Sequence, residues 1–399
     1  MIYYKIKPMS HKQNFKKGII FFYLRSFFSN SVFFWAVDKL FFEQCNVTPS
    51  QIALLLNFWI AMVLVFKLPS GLLADKISRK LLLIVSSIFD VAALIAFLKI
   101  QNLNGFFLGY LFWSIADIFK SGIQEAYFFD LLKTNKNEEL YAKFSGTVWA
   151  VSSLGFFISA ISAGFLANLF SFDFVIMLSI LTTSLSVLST LFLPNIKIIS
   201  NTENLIFFKK IGNVIKAIKK TPLLFNAIVF GATIQAAYGY LDEIDQIYIS
   251  HLGLPVSFLS IWWFARILPS IIGSKFAHKF KSITPQIIDL LAILNIIIII
   301  FISFVHSILL LPLFALSFSF FAICIILNET IIQNSTNSKN RATTLTFGIV
   351  VMSLSQIIVG FIYGFLANAT NAKSAIGIFG VLAFLYFVLR KTENKNNRL

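Results

Sequence analysis

The 399-residue sequence predicts an all-α membrane protein of twelve transmembrane helices in two pseudo-symmetric six-helix halves. Three observations carry that prediction. The chain is 58% hydrophobic and 13% charged, whereas soluble domains run about 25% charged. Apolar runs long enough to cross a hydrocarbon core of roughly 30 Å as helices recur from end to end. Basic residues segregate as well: with the spans set as below, 26 of the 33 Lys and Arg fall in the two termini, the even-numbered links or the span ends that border them.

Runs such as "IIDLLAILNIIIIIFISFV" do not alternate in polarity, which excludes barrel strands. The spans are expected at 19–41, 51–71, 80–99, 104–129, 146–168, 173–193, 223–249, 255–276, 285–304, 307–329, 343–367 and 372–390. The first, "FFYLRSFFSNSVFFWAV", is too long and aromatic for a secretory signal and is expected to be retained. Only Lys39, Lys99 and Lys373 fall on the odd-numbered side, and Arg25, Lys67, Lys120 and Arg266 lie within spans. Lys and Arg are enriched in cytoplasmic loops, so both termini (1–18 and 391–399) are expected inside a cell inner (plasma) membrane. The net charge of +16 is thus a topology signal and implies no nucleic-acid partner.

The halves are expected at 19–193 and 223–390, joined by a cytoplasmic linker, 194–222. In that linker Phe207, Phe208, Ile211, Val214, Ile215 and Ile218 recur at helical spacing beside lysines, the pattern of an amphipathic helix lying on the bilayer. "GFLAN" ends span five at Gly164–Asn168 and span eleven at Gly364–Asn368, an internal echo between the halves. Parallel six-helix repeats of this kind describe one transporter architecture. Cys45 and Cys324 form no evident disulfide framework.

Between spans two and three stands "KLPSGLLADKISRK". Gly permits close helix approach, and an Asp at a helix end can bond the exposed N–H groups of another helix. A contact of that sort exists in one arrangement of two halves and acts as a latch. The stretch "GLLADKISRK" resembles the signature of the major facilitator superfamily: Gly71, Asp75, Lys76, Arg79 and Lys80 match, and Ser78 replaces its second glycine. "SGIQEAYFFDLLK" with "KFSG", and "RATTLTFG", are similar to further stretches of that superfamily. The resemblance implies the major facilitator fold, a small-molecule substrate, a monomer in the lipid bilayer, and a central cavity lined by spans one, four, seven and ten. Glu329 and Arg341 are expected to form a weaker second latch.

Ionisable residues within a bilayer are costly and are paired or face a cavity. Asp117 and Lys120 share one face of span four, with Gln124 continuing it; either they couple protons or they neutralise each other. In span seven Gln235, Tyr238, Asp242 and Asp245 lie at helical spacing, and Tyr rings beside carboxylates suit an organic cation or a polar aromatic ligand. The coupling candidates are Asp117, Lys120 and Asp242. The cavity candidates are Asn30, Gln124, Gln235, Tyr238, Asp242 and Arg266. Asp90 is expected to have a structural partner, and Asp38 and Asp245 to be wet near the span ends.

No phosphate-cradling glycine loop, no Cys/His cluster and no nucleophile–base pair is present, so no cofactor, metal or enzymatic centre is expected. The leading expectation is a secondary active transporter exporting a small amphipathic or cationic compound against protons. The alternatives are nutrient or metabolite uptake on the same fold, and a non-transporting membrane partner or sensor. The topology makes one clean prediction. With Cys45 and Cys324 replaced, Lys210→Cys is labelled by an impermeant maleimide only in inside-out vesicles; labelling from outside alone overturns the orientation.

Overall fold

The computed structural model describes residues 11–74, 77–196, 221–276, 284–336, 341–381 and 384. Among these, ten helices are long and apolar enough to cross a membrane, and no strand occurs. Two expected spans fall outside those ten. Span eight is a 19-residue helix carrying Arg266 and Lys275, and span twelve is described only in part. The amphipathic linker segment lies outside the described residues, as do Asp75 and Lys76 of the signature.

The helices are α1 (His11–Asn30), α2 (Asp38–Gln44), α3 (Pro49–Ala74), α4 (Arg79–Lys99), α5 (Leu103–Lys120), α6 (Ile123–Thr134), α7 (Tyr141–Leu169) and α8 (Phe172–Leu191). Then follow α9 (Pro222–His251), α10 (Phe258–Phe276), α11 (Thr284–Val305), α12 (Leu311–Asn334), α13 (Arg341–Ala369) and the short α14 (Ala372–Ala375). Spans one and four, expected as continuous helices, are each broken. Span one passes through a 3-10 turn, Phe33–Ala36, between α1 and α2. Span four breaks at Ser121–Gly122, where Gly122 takes φ +81°, a left-handed conformation that costs a side chain-bearing residue.

The chain divides into two compact units: 1–35, 65–163 and 170–201 form the first; 36–64, 164–169 and 202–399 form the second. In the first, α4 packs on α5 and α8, and α1 on α8 and α6. Its core gathers Phe22, Leu83, Ile123, Phe128 and Leu131, with the Phe22 ring stacked on Phe128 at 4.4 Å. Hydroxyls bond across the helices: Ser86 Oγ to the Ala116 carbonyl at 2.9 Å and Thr182 Oγ1 to the Ser31 carbonyl at 2.6 Å. Lipid tails are as apolar as Leu, so small residues and such bonds hold membrane helices together.

In the second unit α9 packs on α13 and α12, and α12 on α10 and α11. The start of α3 belongs here: Tyr240 Oη donates to the Ala53 carbonyl at 3.0 Å, and Asn57 Nδ2 to the Ile357 carbonyl at 3.1 Å. A Cβ on Gly360 would meet Asn57 Oδ1 at 2.1 Å, so only glycine allows this approach. The two GFLAN copies make equivalent contacts. Gly164 lies against Val256 and Ser260 at the start of α10, and Gly364 against Ser50 and Ala53 at the start of α3. Spans eight and two are second in their respective halves, so the sequence echo is also a packing echo.

The break in span four can be tested by stability. Gly122→Ala places a side chain in the left-handed region at a cost of about 1–2 kcal/mol, read as a lower thermal midpoint in detergent, with Gly122→Asn falling less. An unchanged midpoint for Gly122→Ala contradicts the strained turn.

Candidate functional site

A cavity of about 330 Å³ opens in the first unit beside the two helix breaks. Its walls include Asn30 at the end of α1, Lys120 at the end of α5, Gln124 and Glu125 in the first turn of α6, and Tyr141, Trp149, Ser152 and Phe156 of α7. The breaks explain why polar groups converge. Helix ends leave N–H and C=O groups unsatisfied, and such ends are tolerated at membrane depth where they line a cavity. Glu125 in the first turn of α6 complements its dipole.

Two amides are oriented by what they already bond. Buried Arg25 donates from Nη1 to Gln124 Oε1 at 2.6 Å, which leaves the Gln124 NH₂ to donate. Asn30 Nδ2 is committed to the Ser26 carbonyl at 2.8 Å, which leaves the Asn30 oxygen to accept. The wall therefore offers donors from Lys120 and Gln124, and acceptors from Asn30 and Glu125. Trp149, 75% exposed, supplies a flat apolar face. Behind the wall, Arg25 lies within electrostatic reach of Asp90 and Glu125, and Asp90 within reach of Lys120 and Asp117. Asp117 does not line the cavity. Span four breaks at 121–122, and Lys120 and Gln124 nonetheless line the same cavity.

A second cavity of about 270 Å³ lies in the second unit between α9, α12 and α13. Gln235, Glu329, Gln333 and Thr344 line it among Ile228, Ile332 and Ile349. Glu329, expected as a latch residue, is thus a cavity residue; the Arg341 side chain lies outside the described set. Tyr238 lies elsewhere: 3% exposed, it stacks on Phe321 at 4.1 Å and donates to the Ser317 carbonyl.

Further along α9 the structure builds an ionic network. Arg266 Nη1 lies 2.7 Å from Asp242 Oδ1 and 2.5 Å from Asp245 Oδ2, with its guanidinium stacked over Trp263 at 3.7 Å. Lys39 Nζ lies 2.9 Å from Asp38 Oδ2 and 2.5 Å from Glu243 Oε2. Two expectations are corrected here. Asp38 and Asp245 are fully buried, not wet, because each is covered by the partners it pairs with. Among the latch residues, Gly71 lies in α3, and Arg79 pairs with Asp130 and the Ala126 carbonyl of α6. Lys80 sits beside Arg79 at the start of α4.

Sequence reasoning missed Glu243, Asp130, Trp149 and Trp262. Glu243 adjoins Asp242 and so falls off the stripe of span seven. The available signal was Lys39, a cation on the otherwise base-poor side.

A family model of the Major Facilitator Superfamily matches residues 19–358. The chain belongs to the major facilitator superfamily. No curated protein matches it. Among solved structures, this superfamily member is similar to a point mutant of the nucleoside transporter NupG, at TM-score 0.76 and 15% identity over 95% of this chain and 99% of that one. It is also similar to a bacterial homologue of the human lysosomal transporter Spinster (TM-score 0.67, 12% identity, 96% and 97% covered). A third similar structure is a peptide transporter POT with sulfate (TM-score 0.68, 12% identity, 97% and 98% covered). These likenesses establish the fold, and membership of the superfamily makes the chain a multi-pass transporter and not an enzyme.

The Arg25–Gln124 bond carries a stability prediction. A hydrogen bond to a charged group is worth about 1.5–3 kcal/mol. Gln124→Leu is expected to lower stability in detergent by that amount, and Gln124→Glu to restore it by pairing Arg25 directly. A Leu variant as stable as wild type contradicts the bond.

Proposed function

We propose that this chain is a secondary active transporter that moves a small polar solute bearing a flat ring or a zwitterion, by alternating access coupled to protons. The observation that carries the reading is the cavity at Asn30, Lys120, Gln124 and Glu125. Its donors and acceptors are paired and its charges are of both signs. A site built on one carboxylate alone would select an amphipathic cation, but Lys120 beside Glu125 repels one. Trp149, Tyr141 and Phe156 provide planar faces, and pockets that combine aromatic walls with few placed polar groups orient small ligands. Two of the similar structures are a nucleoside transporter and a peptide transporter, and both ligand classes fit the same donor–acceptor chemistry.

Proteoliposomes carrying the purified protein, screened with labelled nucleosides, dipeptides and organic cations under an imposed pH gradient, test this reading. Saturable transport of a nucleoside or dipeptide, lost in Trp149→Ala, is expected. Transport of organic cations alone overturns the substrate class, and transport of none overturns the function.

In this reading Asp117, with Asp90 and Lys120 in electrostatic reach, carries the coupling proton. Asp117→Asn is expected to abolish accumulation against a gradient while downhill exchange persists. A variant that still concentrates solute under a proton-motive force overturns the role of Asp117.

A further inference from the structure

The network on α9 holds more acid than base. Lys39 is shared between Asp38 and Glu243, and Arg266 between Asp242 and Asp245, so four carboxyls face two cations. A buried charge without its own counter-charge is strongly disfavoured. The neighbouring elements offer little to close the deficit. His251 is taken by Glu43 at 2.8 Å; Tyr248 and Tyr363 are neutral phenols; and Lys373, on the packed α14, makes no ion pair among the described residues.

The four acids are not equally placed. Asp38 sits in the first turn of α2, where the backbone N–H of Lys39 also bonds its carboxylate at 2.9 Å. Asp242 and Glu243 reach water, at 38% and 17% side-chain exposure. Asp245 has neither relief: it is fully buried and shares its cation. Both of its donors, Arg266 and Trp262 Nε1 at 2.7 Å, bond Oδ2, and Oδ1 is buried with no hydrogen-bond partner. A naked carboxylate oxygen in an apolar interior costs far more than an unpaired neutral hydroxyl.

Asp245 itself is held by α10, through Trp262 and Arg266, and the end of span one is seated on the residues next to both. Trp263 Nε1 donates to the Ala36 carbonyl at 3.1 Å, and Gln246, next to Asp245, bonds Asp38. We propose that Asp245 is a proton-binding site which is loaded while the segment Ala36–Lys39 is seated on α9 and α10 and emptied when that segment parts and water enters. The closed contact then holds one proton more than the open one, so acid favours closure at this end. The linkage rests on the transport reading; the occupancy of Asp245 does not.

Infrared spectroscopy of the full chain in lipid vesicles reads the occupancy without any solute. At pH 7 the wild type is expected to show the carbonyl stretch of a protonated carboxyl that Asp245→Asn lacks. Asp245→Glu, which keeps the acid, is expected to shift that band and serves if the Asn variant does not fold. Trp263→Phe, which removes the bond to the Ala36 carbonyl and changes no charge, is expected to reduce the band by more than half. Absence of the band in wild type means an ionised Asp245 and overturns the site. A band unmoved by both Asp245 variants places the proton elsewhere and overturns it too. A band undiminished in Trp263→Phe overturns the link to the contact. Flux in proteoliposomes separates any of these from failure of the transport reading.

Discussion

A charge inside a membrane span must be met by an opposite charge, by hydrogen bonds or by water, and this requirement sorts the polar residues of the chain. Arg25 is met by Gln124, Arg79 by Asp130, Arg266 by Asp242 and Asp245, and Lys39 by Asp38 and Glu243. Lys120, Glu125 and Glu329 line cavities instead. The paired charges fix helices to one another, and those at cavity walls are the ones that would meet the proposed solute.

The helix breaks belong to the same logic. A continuous helix satisfies all of its backbone groups internally and offers a cavity only side chains. Breaking span four at Gly122 and span one at Phe33–Ala36 brings helix ends to the cavity region and the ionic network. The first break sets Gln124 and Glu125 at the start of a new helix. The second lets α2 begin at Asp38, where the helix terminus helps hold the carboxylate.

Much of this was legible in the sequence. Apolar length and the Lys/Arg bias point to the spans, GFLAN to the repeat, and the polar letters Asn30, Lys120, Gln124 and Gln235 to residues that line cavities. What was not legible has physical causes. A helical stripe assumes an unbroken helix and carries no sign of the break at Gly122. The face it draws through Asp117, Lys120 and Gln124 includes Asp117, which lines no cavity wall with the other two. Depth along a span does not report lateral cover, so Asp38 and Asp245 read as wet although other helices bury them. Tyr238 read as a ligand contact because its spacing matched the acids, while its ring is taken up by Phe321. Long-range pairs such as Lys39 with Glu243 join residues from different halves and leave no local pattern.

The proposed alternating access requires the contact that ties the ends of spans one and two to spans seven and eleven to open in every transport cycle. Ser50 and Asn368 mark that contact at an exposed, uncharged point, with their side chains bonded at 3.0 Å. With Cys45 and Cys324 replaced, a reducible cross-link between Ser50→Cys and Asn368→Cys holds it shut without disturbing the ionic network. Solute exchange in proteoliposomes is predicted to stop when the link forms and to return on reduction. Full exchange through the linked protein would contradict the account.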